Sequence, residues 1–160
     1  MIRKIRTFIN LVESPGGVWL FIRIGAWAFL MPILVHFLSI PDLMRFITPR
    51  KNSSKQWRQD KLRNMAFFWA GQKKPLLRGT CLKRSLVLYR YLRLQGEPAQ
   101  IFFGMRKEQG ELKGHAWVLI DGKPLMDNED LNYSVVYAYP PEEKEDRQSA
   151  PTPGLGRIMD

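Results

Sequence analysis

A chain of 160 residues, 45% hydrophobic and 25% charged, is long enough to bury a core of its own, and its composition excludes an intrinsically disordered protein. One cysteine excludes an internal disulfide framework and points to a reducing, cytoplasmic setting; with only His36 and His115 beside it, no structural zinc site is expected. The net charge of +10 is lopsided: residues 1–80 hold 14 Lys and Arg against three acids, +11, and residues 81–160 hold 11 against 12, −1, so the first half offers a basic surface to an anionic peptide, a membrane face or nucleic acid.

In chain order, MIRKIRTFINLVESPGG reads as a short basic amphipathic helix with Ile2, Ile5 and Phe8 on one side, broken at Pro15-Gly16-Gly17. Residues 18–40 are the most apolar part of the chain. Arg23, Pro32 and His36 interrupt them, and the longest unbroken apolar run, Ile24 to Val35, is about 12 residues where a span needs about 20, so a buried or interfacial helix is expected before a membrane span. The run starts late and no small-residue cleavage pattern follows, which argues against a secretory signal.

Pro41-Asp42 restarts a short helix, residues 48–56 form a polar linker, and a second amphipathic helix is expected from about Lys55 to Ala70. Gly71 to Pro75 turns the chain into RGTCLKRSLVLYRYLRLQG, residues 78–96. There Thr80 is a good N-cap, Leu82, Leu86, Tyr89 and Leu92 recur at helical spacing, and Gly96 terminates the helix.

Beyond Gly96 the pattern alternates. Ala99 to Arg106 reads as a strand, Lys107 to Gly114 as a polar loop, and His115 to Ile120 as a second strand. Asp121-Gly122 is a turn after which Lys123 to Asp127 returns antiparallel, and a last strand covers about Tyr133 to Tyr139. From Pro140 the chain is charged and Pro-rich, and a disordered tail is expected over 140–160. The class is therefore α+β, with an N-terminal helical, partly apolar extension over 1–50 and a core over 51–139.

Cys81 opens its helix, where free backbone N–H groups and the helix dipole favour a thiolate and Arg78, Lys83 and Arg84 add positive charge. A helix-start cysteine followed by a strand that begins with His115 suits a thiol nucleophile with a histidine base, oriented by a third polar group. Asp121, Asp127 and Asn128 are the candidates for that third group, and Asp121 reads as a plain turn residue. A two-residue hairpin loop would set Asn128 opposite His115; a three-residue loop would set Asp127 there. Trp117 shares the face of His115.

The succession C-L-x-R-S-L-x-L from Cys81, an apolar strand ending in Gly104, then H-A-W-V from His115 and D-G-x-P-L-x-D from Asp121 resembles the lasso-peptide leader peptidases, the microcin-processing proteins with a transglutaminase-like core. The resemblance covers roughly residues 60–130. It implies a transglutaminase/papain-like core in which a cysteine-bearing helix packs on an antiparallel sheet, with Cys81 as nucleophile, His115 as base and Asp127 as its orienting acid, which would go with the three-residue loop. It also implies removal of the leader from a ribosomally made bacterial precursor peptide, in company with a small leader-recognition protein and an ATP-dependent cyclase. No GxxxxGK[ST] phosphate loop is present, so this chain is expected to bind no cofactor and any ATP dependence to belong to a partner.

Two other classes compete. One is acyl or amide transfer by the same three residues. The other is a non-catalytic basic adaptor that binds a membrane through residues 1–45, which would make the chain peripheral at the inner membrane. Nucleic acid is not an expected partner, because Trp19, Phe21, Trp27 and Phe29 sit in an apolar stretch and do not alternate with basic residues as a stacking platform requires.

Overall fold

The computed structural model describes residues 15–51, 53, 56–70, 80–125 and 132–141. Among the described residues four helices precede a four-stranded sheet: α1 Pro15–Phe37, α2 Ile40–Ile47, α3 Gln59–Ala70 and α4 Thr80–Leu94, then β1 Ala99–Glu108, β2 Glu111–Ile120, β3 Lys123–Pro124 and β4 Ser134–Tyr139. The sheet order is β3-β2-β1-β4 and every pairing is antiparallel. The expected helix over residues 1–14, the turn at 71–75 and the tail beyond 141 lie outside the described residues.

Pro15 opens α1, so the expected break at Pro15-Gly16-Gly17 is instead a helix start; a proline costs nothing in a first turn, whose N–H groups have no helical partner. Arg23, Pro32 and His36 interrupt the apolar run in sequence without ending the helix. At 23 residues, with a mean hydropathy of 2.0 in its most apolar window, α1 is long and apolar enough to cross a membrane by length and composition, and a third of that window is buried inside the protein. Leu20, Ile24, Ala28 and Met31, one helical stripe, form the buried side. Gly25 lies on that side because the Trp69 ring of α3 occupies the space: a Cβ at Gly25 would come within 2.6 Å of it. Trp69 is held there by donating from Nε1 to the carbonyl of Phe21, 3.1 Å.

Ser39 caps α2, its Oγ accepting from the N–H of Asp42 at 3.4 Å, and Thr48 closes the other end by donating to the carbonyl of Met44 at 2.6 Å. At the centre stands α4, buried on nearly every side through Leu86, Val87, Leu88, Tyr89, Tyr91 and Leu92. Its C-terminus is a Schellman motif: Gly96 takes φ 86°, its N–H bonds the carbonyl of Arg93 and that of Glu97 the carbonyl of Leu92, each at 3.0 Å. Arg90 ties α4 to α2 through a 2.7 Å bond to the carbonyl of Ile47 while its guanidinium lies over the Trp27 ring.

The sheet turns Ile101, Phe103, Ala116 and Val118 toward α4, and these join the helical residues in one buried cluster. Residues 107–114, expected as a loop, are instead the outer half of a long β1–β2 hairpin closed by Gln109 and Gly110 at φ 51° and 86°. The alternation that marks a strand vanishes there because both faces meet water. Pairing rests on the backbone ladder, on the two-residue turn and on Glu108, which takes Lys113 at 2.5 Å and Arg106 at 3.6 Å.

Gly25→Val puts side-chain atoms where the Trp69 ring stands. Overpacking at this contact is expected to cost about 3 kcal/mol, read as a lower urea midpoint, whereas Ile22→Val on the exposed side of the same helix should leave the midpoint unchanged.

Candidate active site

Alternate carbonyls of β2 point to its outer edge, among them those of Val118 and Ala116. That of Val118 accepts from the N–H of Leu125 at 3.0 Å, continuing the β2–β3 pairing. The next outward one, two residues earlier, belongs to Ala116, and it accepts from the Oγ of Ser85 at 2.7 Å. α4 thus meets β2 at an edge carbonyl just beyond the described end of β3. Ser85 is fully buried, so this bond forms in a dry setting where an unmet carbonyl would be costly.

The bond also sets where Cys81 lies. Cys81 precedes Ser85 by four residues, the same helix face, about 6 Å back along the axis. His115 precedes Ala116 by one residue, about 3.4 Å back along the strand. α4 and β2 run in the same sense, since a tight turn reverses α4 into β1 and the hairpin reverses β1 into β2. Along the two elements both residues therefore fall on the same side of the Ser85–Ala116 bond, while the His115 side chain turns to the sheet face opposite the one on which α4 packs. Cys81 is a free, half-buried thiol in the first turn of α4.

His115 pairs with Gly104 and faces away from the core-facing residues Ala116 and Val118. Its ring stacks on Trp117 at 5.8 Å and 17° and meets Tyr133 at 5.1 Å, so the shared face expected for Trp117 is a ring contact. Trp117 stacks in turn on Phe102 at 5.8 Å. Only glycine fits at position 104, because a Cβ would lie 2.8 Å from Tyr133 and 2.9 Å from the Trp117 ring. The aromatic trio and the missing side chain together fix the plane of the imidazole, which is half-buried.

The three-residue hairpin loop does not form. Ile120 pairs with Lys123 and Leu119 with Pro124 around a two-residue turn, Asp121 and Gly122 at φ 50° and 73°. Both φ values are those of a type I′ turn, whose twist suits the flanking strands. Asp121 is the exposed turn residue expected of it. Continued unbroken, this register would set Asn128 opposite His115, but the described ladder ends at Pro124. Asp127 and Asn128 lie outside the described residues.

The positive charge around Cys81 is also less direct than the sequence indicates. Lys83 is buried with no hydrogen-bond partner for its Nζ among the described residues, and desolvation pulls its pKa down from the usual lysine value. The Arg84 guanidinium lies 4.4 Å over the Phe67 ring of α3. Arg78 is outside the described residues. What the described residues place at Cys81 is the first turn of a 15-residue helix.

A cleft of about 400 Å³ opens between the start of α3 and the β2–β3 turn, lined by Asp60, Arg63, Asp121 and Lys123 among others. It touches β2 at Ile120, five residues and roughly 17 Å along the strand from His115. Such a separation removes it from the chemistry of the cysteine.

Residues 29–138 match the transglutaminase-like superfamily. The chain belongs to that superfamily. Its typical members are cysteine-protease-like enzymes or transferases, and helix-then-antiparallel-sheet order with a cysteine on α4 is the arrangement the sequence implied. No curated protein and no solved structure matches the chain. The match reaches the transglutaminase-like level and carries no specific sign of the lasso-peptide leader peptidases.

Sequence reasoning missed Ser85, Tyr133 and the burial of Lys83. Ser85 stands four residues after Cys81, a spacing that could have marked it as the next group on the same face. No local signal foretells Tyr133, whose place depends on a register shift between Phe103 and Gly104 where β4 pairs with β1.

Gly104→Ala is expected to displace Trp117 and Tyr133 and to release the His115 ring. Its stability should fall by about 2 kcal/mol, and the histidine ring resonances in an NMR spectrum should lose the upfield shift that stacking on Trp117 produces.

Proposed function

We propose that the protein is a cysteine peptidase that removes the leader from a ribosomally synthesised precursor peptide. The observation that supports this reading is the Ser85–Ala116 bond, which ties α4, whose first turn carries Cys81, to the HAWV segment of β2 in a transglutaminase-like chain. His115 takes the proton of the Cys81 thiol, and the thiolate attacks the carbonyl at the junction of leader and core. The tetrahedral oxyanion meets backbone N–H groups at the start of α4. Collapse expels the amine of the core peptide, protonated by His115, and leaves a thioester on Cys81. Water, deprotonated by His115, hydrolyses that thioester and restores the thiol.

The orienting group in this proposal is Asp127, which the sequence resemblance implies, or Asn128, which the two-residue turn would set opposite His115 if its register continued, and the stack of Trp117 and Tyr133 holds the imidazole plane. The same aromatic wall, continued by Phe102, gives an apolar seat to a substrate side chain next to the base. Leader recognition is supplied in trans by a small separate protein, and any ATP requirement enters through a cyclase partner. Support for these last roles comes from the sequence resemblance alone.

The deciding test is cleavage of precursor peptide by wild type, Cys81→Ala and His115→Ala, with product masses recorded. Cys81→Ala is expected to abolish cleavage and His115→Ala to lower it by at least about a hundredfold. A Cys81→Ala protein that still cleaves would sink the proposal, and a product mass that carries an added amine would replace hydrolysis by transfer. Iodoacetamide alkylation of Cys81 should proceed well below pH 8 in wild type and lose that low-pH reactivity in His115→Ala.

A further inference from the structure

α1 has a second apolar side that none of the described residues covers. Trp19, Ile22, Phe29, Ile33 and Phe37 are each more than half exposed. At 100° per residue, the exposed positions from Val18 to Phe37 fall within an arc of about 140°, a stripe running roughly 30 Å along the helix. Arg23 is the one formally charged side chain among the exposed residues of α1. The neighbouring α2 adds exposed Phe46, whose ring lies 6.2 Å from Trp27. A row of large apolar side chains of this length is not the scattered exposure of an ordinary soluble surface.

We propose that this face docks on an anionic membrane, with α1 lying in the plane of the surface and its Trp19–Phe37 side sunk into the headgroup and acyl boundary. Charge names the occupant. The half of the chain that bears the stripe holds the whole positive excess, +11 over residues 1–80. Exposed Arg45, Arg50 and Lys51 follow it on and after α2, and Arg3, Lys4 and Arg6 precede it in the sequence. Such a helix, apolar on one side and flanked by basic residues, binds anionic lipid by burial and attraction together. A second copy of the chain would bring two like-charged halves face to face.

Packing decides between lying on the membrane and crossing it. Leu20, Ile24 and Met31 are buried, Gly25 is pressed against Trp69, and Trp69 donates to the backbone of Phe21. A spanning α1 would have to leave that core, which α3 and α4 share. An in-plane α1 keeps every one of these contacts. This inference does not depend on the peptidase reading, and its test uses no cleavage assay.

The full-length chain is floated with vesicles of phosphatidylcholine alone and of phosphatidylcholine mixed with phosphatidylglycerol. Flotation is expected only with the anionic vesicles, weakened by salt and reversed by alkaline carbonate. The double variant Ile22→Gln/Ile33→Gln should keep the wild-type circular dichroism and lose about tenfold or more in vesicle partitioning; Trp19→Gln, a second change on the same face, should weaken partitioning in the same direction. Folded wild type that stays with neither vesicle overturns the proposal. So does carbonate-resistant binding, which marks a span, or a wild-type dimer that the double variant dissolves without any vesicle binding, which assigns the face to a second copy. Equal flotation of wild type and the folded variants assigns binding to another part of the chain and overturns it as well.

Discussion

One hydrogen bond fixes how the two halves of this protein meet. The Ser85 hydroxyl takes the edge carbonyl of Ala116 inside a buried layer, so α4 cannot slide along β2 or roll over it without leaving a dry carbonyl unmet. Everything proposed for the cysteine depends on that registration. A thiol at the start of a helix is common and inert in most settings, and it becomes chemically interesting only where a second element brings a base to the same end.

The aromatic face does for His115 what the hydroxyl does for α4. Trp117 and Tyr133 hold the ring on one side of the sheet, and the absent side chain at Gly104 makes room for both. Lys83 is the counterweight. Its amine is buried near the start of the same helix without a hydrogen-bond partner among the described residues, and the burial that lowers its pKa also raises the cost of keeping it charged there. A helix packed on nearly all sides leaves few positions for a long polar chain.

How much could be read beforehand varied with the kind of signal. The end of α4 was plain because Gly96 supplies the left-handed residue that its Schellman motif needs. β2 was plain over HAWVLI, where apolar residues outnumber polar ones, and invisible over ELKG, where solvent on both faces erases the alternation on which strand reading depends. The break assigned to Pro15-Gly16-Gly17 failed because proline and glycine speak against a helix interior and not against its first turn. Asp-Gly serves two- and three-residue loops alike, so the register of the second hairpin needed the positive φ of both Asp121 and Gly122 to be seen. Of the candidate site, Cys81 and His115 could be singled out by position in their elements, whereas the contacts that hold them come from residues far apart in the chain, Ser85 with Ala116 and Tyr133 with His115.

The outer half of the β1–β2 hairpin has a mechanical consequence. From Arg106 to Lys113 it is paired strand to strand but lies beyond the buried cluster, with little apolar packing to oppose fraying from its tip. Opening can run inward only as far as the Gly104–His115 pair, where the aromatic stack clamps the ladder. The histidine thus sits at the border between a paired arm that lies beyond the buried cluster and the clamped, packed part of the sheet.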